Sequence, residues 1–248
     1  MKEPNGITAC LPPPPNLTPH PNGASAVDGS GTGRMRPVDA APWRSFEIVA
    51  ACRSALGQIG GEQAASFGVT SAHRGEGRTT LALASALVQS QDYGRQTILL
   101  ELDLERPVLA ARLGIKAQPG LGELLRGESN VEDCIQFVDD RLGVVVAGDT
   151  GGPSLTVLAS KVIGANLVAS LQKRSEVVVA DLPPLLGSDF GSRLTQALDR
   201  VALVVRSSVT PLPEVRRAVS KLPETPPLIV NDVGASKTPA WLSSLVGR

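Results

Sequence analysis

Ser71-Ala72-His73-Arg74-Gly75-Glu76-Gly77-Arg78-Thr79-Thr80 is the stretch on which the fold turns. It follows the apolar, β-branched run Ser66-Phe67-Gly68-Val69-Thr70 and precedes an alanine-rich run from Leu81 to Gln91. A buried strand, a glycine-punctuated turn and two hydroxyl residues opening a helical pattern make the layout of a phosphate-binding loop. Glycines let backbone N–H groups approach phosphate oxygens. A helix starting near Thr79 aims its unsatisfied amides and the positive end of its dipole at the same anion. A triphosphate fits such a loop. Arg78 stands where such loops carry a lysine.

Outward from the loop, the 248-residue chain has room for one α/β domain of about 200 residues and a tail. Lys plus Arg and Asp plus Glu balance at 24 each, which excludes a broad electrostatic footprint for nucleic acid or acidic lipid and leaves only local anion sites. Cys10, Cys52 and Cys134 are widely spaced and match no metal-ligand pattern, favouring a reducing compartment. Ile7-Thr8-Ala9-Cys10 superficially matches a lipoprotein cleavage box, but no apolar region precedes it and no later run approaches about 18 apolar residues. A cytoplasmic protein without direct membrane insertion is expected.

Residues 1–42 are rich in Pro, Gly, Asn and Ser, with Pro12 to Pro15 consecutive, and predict a disordered arm. From Trp43 a helical pattern places Phe46, Val49, Ala50, Cys52 and Leu56 on one face. After the loop helix, Gln96 to Asp103 predicts a buried strand whose Glu101 and Asp103, two apart, share a face at the ligand end. Short helices are expected from Pro107 to Leu113 and Gly120 to Gly127, a strand at Leu142 to Val146, and one long helix from Leu155 to Gln172. Strands follow at Glu176 to Asp181, Val201 to Val205 and Pro226 to Val230, with a helix at Pro213 to Leu222. An aspartate such as Asp181, ending an apolar strand beside a phosphate-loop strand, is placed to hold magnesium through water. Alternating helices and apolar strands predict an α/β fold: a mostly parallel sheet covered on both faces, of the P-loop NTPase kind. The core unit is expected over residues 43–234. Residues 235–248 form a short tail whose Trp241, Leu242, Leu245 and Val246 share a helical face.

Four ordered motifs carry a resemblance. The glycine loop resembles the Walker A of the bacterial tyrosine kinases of capsule and exopolysaccharide synthesis, which typically ends Pro-Gly-Glu-Gly-Lys-Ser. Leu99-Leu100-Glu101-Leu102-Asp103-Leu104-Glu105-Arg106-Pro107 resembles their second acidic motif. Pro119-Gly120-Leu121-Gly122-Glu123-Leu124-Leu125 is similar to the segment that follows it, and Val179-Ala180-Asp181-Leu182-Pro183-Pro184 to their Walker B. The resemblance implies ATP and Mg2+ as cofactors. It gives Gly75, Glu76, Gly77, Arg78, Thr79 and Thr80 to the phosphates, Asn231 to the adenine, and Thr79, Asp103 and Asp181 to the metal. Glu101, Asp103, Asp181 and Arg78 become the catalytic set of an ATP-dependent tyrosine-kinase-like phosphotransferase or ATPase. A membrane-embedded polysaccharide co-polymerase is the implied partner, able to recruit the chain to the inner face of the membrane, with a homo-oligomer also implied and no nucleic acid.

The chain departs from that pattern in four places. Arg78 replaces the lysine, and Glu101 replaces an aspartate. The family's Glu-x-x-Arg-x-x-Arg helix is Glu47-x-x-Ala50-x-x-Arg53 here, and Tyr93 is the only tyrosine. Two other functions remain open: a non-catalytic regulatory partner of the co-polymerase, and a positioning ATPase of the MinD/ParA type. His73 stands where the latter carries a signature lysine. Neither His73 nor His20 has a partner in sequence that would make it a ligand or base.

Overall fold

The chain is represented by a computed structural model that describes residues 44, 46–58, 63–151 and 154–232. The expected arm over 1–42, Trp43 and the tail from 235 lie outside the described residues. Seven strands form one sheet: β1 (Ser66–Ser71), β2 (Thr97–Glu101), β3 (Ile135–Phe137), β4 (Leu142–Val145), β5 (Val177–Asp181), β6 (Arg200–Arg206) and β7 (Leu228–Asn231), in the spatial order β3-β4-β2-β5-β1-β6-β7. Every neighbouring pair is parallel except β3 with β4. The apolar strands follow from burial on both sides. Phe67, Val69, Leu99, Val177 and Val179 enter one core, under α1 (Phe46–Gln58) and α2 (Arg78–Leu87). Ile98, Leu100, Val178 and Ala180 alternate with them into the opposite core, under α6 (Leu155–Gly164) and α7 (Leu167–Gln172).

Three details differ from expectation. Phe46 is 79% exposed, and the buried face of α1 is Ile48, Cys52, Ala55 and Leu56, because the stripe starts two residues later than Phe46 suggests. The helix expected over 155–172 breaks at Asn166, which adopts a left-handed φ of 51°. Asparagine tolerates that conformation better than most side chains, and Leu158, Val162, Leu167 and Leu171 all stay buried across the break. The antiparallel edge strand β3 was not expected. At three residues with an intermediate-to-exposed pattern it carries too little periodicity to be seen.

The Pro119-Gly120-Leu121-Gly122 segment is explained by close backbone approach. It opens α4 (Leu121–Arg126), whose Leu121 and Gly122 amides donate to the Val146 and Ala147 carbonyls at 2.8 Å each. A Cβ on Gly122 would lie 1.8 Å from the Asp149 carbonyl oxygen. Gly122→Ala should therefore cost about 1–3 kcal/mol of unfolding free energy in urea. Gly164→Ala, whose Cβ would meet nothing within 4 Å, should stabilise by up to about 1 kcal/mol. Equal effects would remove the close-approach explanation.

Candidate functional site

The loop between β1 and α2 is built by its glycines and held from behind by its acid. Gly75 and Gly77 have φ of 83° and 101°, the left-handed region that L side chains avoid. Glu76 is 3% exposed and turns inward. It accepts from the His73 amide at 3.1 Å and from the Thr210 hydroxyl, so it braces the loop, and its side chain does not face the phosphate position. Asn231, at the end of β7, donates Nδ2 to the Glu76 carbonyl at 2.9 Å and accepts the Asp232 amide at 2.9 Å. A Cβ on Gly77 would strike that Nδ2 at 2.2 Å. Asn231 is thus in contact with the loop itself. His73 does have a partner: its Nε2 lies 2.6 Å from Oε2 of Glu214, on α9 (Leu212–Val219).

Pairing of β1 with β5 sets Val69 beside Asp181, and pairing of β2 with β5 sets Glu101 beside Asp181. The two acids of the second motif then diverge. Strand β2 ends at Glu101, so the expected two-residue strand relation between Glu101 and Asp103 does not hold. Glu101 is 1% exposed and accepts the amides of Val108 at 2.5 Å, Leu109 at 2.8 Å and Ala147 at 3.0 Å. It caps α3 (Leu109–Leu113) and ties it to the chain leaving β4. Burial pushes its pKa up, opposed by those three amides. The extra methylene over aspartate gives the reach for this clamp.

Asp103 turns towards the loop. Arg74 donates Nη1 to its Oδ2 at 2.6 Å and Nη2 to its Oδ1 at 3.3 Å, with a further bond to Glu105 at 2.7 Å. Arg78, the first residue of α2 and only 8% exposed, donates Nη2 to the same Asp103 oxygen. Its Nε lies 3.7 Å from Asp181 Oδ1, beyond hydrogen-bond range. Neither Asp181 oxygen nor Arg78 Nε has a hydrogen-bond partner. Asp181 is wholly buried, and desolvation pushes its carboxyl up to about 7 against the opposing pull of Arg78 and of the nearby Thr79 hydroxyl, which does not reach hydrogen-bond geometry.

The loop, Thr79 and Thr80 line a cavity of about 190 Å³ with four arginines around it: Arg74, Arg78, Arg106 and Arg112. Arg112 reaches Thr80 Oγ1 at 3.3 Å. Of these four, sequence reasoning singled out only Arg78. Arg106 and Arg112 follow the acidic motif, and a fold is needed to bring them over the loop. A larger apolar groove of about 620 Å³, lined by Leu124, Val131, Val157 and Leu167 among others, shares no residue with this cavity.

The donor set does not fit a magnesium ion as it stands. The guanidinium of Arg78 lies between Asp103 and Asp181, and Arg74 covers the remaining Asp103 oxygen. Among the described residues, no three His, Cys, Asp or Glu side chains gather into a metal-holding group. The buried thiols offer no nucleophile, since burial pushes Cys52 up to about 12 and raises Cys134.

The tyrosine-protein kinase YwqD of Bacillus subtilis is 27% identical over 161 residues, spanning 64% of this chain and 67% of its own. The solved kinase domain of VpsO is 30% identical with a TM-score of 0.68, covering 75% of this chain and 94% of that domain. The chain belongs to the bacterial tyrosine kinase family. No protein-family model matches it. The kinase domain of the Escherichia coli tyrosine kinase ETK reaches a TM-score of 0.76 over 94% of this chain and 92% of its own, at 19% identity that supports the fold alone. MinD from Pyrococcus horikoshii, solved with Mg-ADP, likewise shares the fold, with a TM-score of 0.55 and 20% identity over 73% of this chain and 76% of its own. This family member spans only 19% of the length of the tyrosine-protein kinase ptk of Acinetobacter johnsonii, at 26% identity over 140 residues and 56% of this chain.

The carboxyl of Asp181 makes a signed prediction. In the folded chain it keeps its proton to about pH 7, against 3.8 for an unperturbed aspartate. Between those values the folded state binds the extra proton, so this group's stabilising term is full at low pH and is lost as pH rises through about 7. Asp181→Asn has no such titration. Relative to that variant, the wild type should lose roughly 2–4 kcal/mol of stability between about pH 4 and about pH 8 in denaturant melts. Parallel pH profiles would show that Asp181 is ionised throughout.

Proposed function

We propose that this chain is an ATP-binding regulator of extracellular polysaccharide synthesis, built on the kinase fold of its family and acting on a membrane-embedded polysaccharide co-polymerase. The cavity of glycine-loop backbone and four arginines carries the ATP reading, because backbone amides, a helix N-terminus and guanidinium forks together recognise a polyphosphate. Thr79 and Thr80, at the start of α2, are the hydroxyls nearest that anion. Polysaccharide control and the co-polymerase partner rest on the family resemblance. Among the described residues no helix is long and apolar enough to cross a membrane. In the helix whose family counterpart is linked to ring assembly, Arg53 is already paired with Asp92 at 2.5 Å, so self-assembly would draw on other contacts or break that pair.

The regulatory reading is favoured over an active kinase by the state of the three acids assigned to phosphoryl-transfer chemistry: Asp103 and Asp181 face Arg78, and Glu101 is committed to three backbone amides. Tyrosine phosphorylation is the second reading, favoured by family membership. A positioning ATPase has less support, since the MinD likeness is one of fold and His73 is held by Glu214.

In titration calorimetry, ATP should bind the wild type, and Arg106→Ala/Arg112→Ala should weaken it about tenfold or more, charge-assisted contacts being worth about 1.5–3 kcal/mol each before solvent screening. Unchanged affinity would remove the cavity from the nucleotide site. For turnover, the wild type should release phosphate no faster than background, and Arg78→Lys should raise the rate by freeing the two carboxylates. A wild type that transfers phosphate to tyrosine, with Arg78→Lys slower, would establish the kinase reading.

A further inference from the structure

We infer that Arg78 takes the place of the divalent cation, so that this chain binds its nucleoside polyphosphate without magnesium. The inference rests on the nucleotide reading above and deepens it. Asp181 and Asp103 both approach the loop from the same half of the sheet because β1 pairs with β5, and β5 with β2. Two carboxylates converging there need a counter-charge, since buried charge without a partner is costly. Arg78 supplies it from within the chain: Nη2 bonds Asp103, and Nε faces Asp181 across 3.7 Å. Arg78 also lines the phosphate cavity, so the residue that neutralises the two acids borders the space a phosphate would take.

Three further observations point the same way. Asp103 is shared with Arg74, so a dication placed on it would sit beside two guanidinium groups and meet repulsion. The cavity carries two more arginines, Arg106 and Arg112, which raises its positive charge above what a single loop lysine provides. Without magnesium a triphosphate is more negatively charged, and such a wall would favour it over the metal complex. Arg78 Nε, buried and without a hydrogen-bond partner, is a donor that a bound phosphate would satisfy, and a small movement of the guanidinium would bring it onto the unpartnered Asp181 oxygens. The ligand class is a metal-free nucleoside di- or triphosphate.

The test compares ATP binding by the full chain in excess EDTA and in excess magnesium at matched ionic strength, by titration calorimetry. Affinity in EDTA should equal or exceed that in magnesium. A loss in EDTA greater than about threefold would overturn the inference and leave the nucleotide reading standing. Absence of binding in both conditions would reject the nucleotide reading itself and this inference with it. Arg78→Lys gives the reciprocal arm. Its shorter ammonium frees Asp103 and Asp181, so ATP binding should become magnesium-dependent by about tenfold or more, and a folded Arg78→Lys chain that still ignores magnesium would also overturn the proposal. The wild-type comparison decides the question if that variant does not fold.

Discussion

A guanidinium buried between two carboxylates governs this site. Arg78, Asp103 and Asp181 come from the start of α2, the chain two residues past β2 and the end of β5, and their mutual attraction operates where water cannot screen it. Taking charges out of water costs several kcal/mol per ion, so none of the three could stay buried and ionised alone. Asp181 shows the limit of the compensation: with Arg78 at 3.7 Å and no hydrogen bond, its carboxyl still sits near neutrality. Arg74 relieves Asp103 from the solvent side and ties Glu105 to the same cluster.

The loop itself is held mainly from the other half of the sheet. Thr210 and Asn231 bond to Glu76, and Glu214 holds His73, so β7, α9 and the chain after β6 set the loop from one side while Asp103 and Asp181 anchor its arginines from the other. Positive φ at Gly75 and Gly77 is therefore maintained by tertiary bonds on both flanks and does not rest on glycine alone. Polar residues that look chemical in sequence serve here as braces: Glu76 with its inward carboxylate, and Glu101 as the cap of α3.

Much of the fold was legible in the chain. Runs such as Val177-Val178-Val179-Ala180 are apolar at every position because alternate residues enter different cores, and that pattern has one economical solution, a sheet buried on both faces. The break at Asn166 was hidden because the apolar spacing of Leu158, Val162, Leu167 and Leu171 survives it. The edge strand β3 was hidden because its hydrogen bonds to β4 come from register, with little burial behind them.

The sequence by itself determined the phosphate loop, the acids at two strand ends and the class of sheet, because these depend on local backbone freedom and on hydrophobic periodicity, both written along the chain. Only the tertiary structure decided what each charge does. Whether Glu101 faces a ligand or caps a helix, whether Arg78 reaches phosphate or two carboxylates, and which further arginines surround the cavity all depend on distances between residues far apart in the chain. Coulomb and hydrogen-bond energies fall steeply over a few ångströms, and no one-dimensional pattern records such separations.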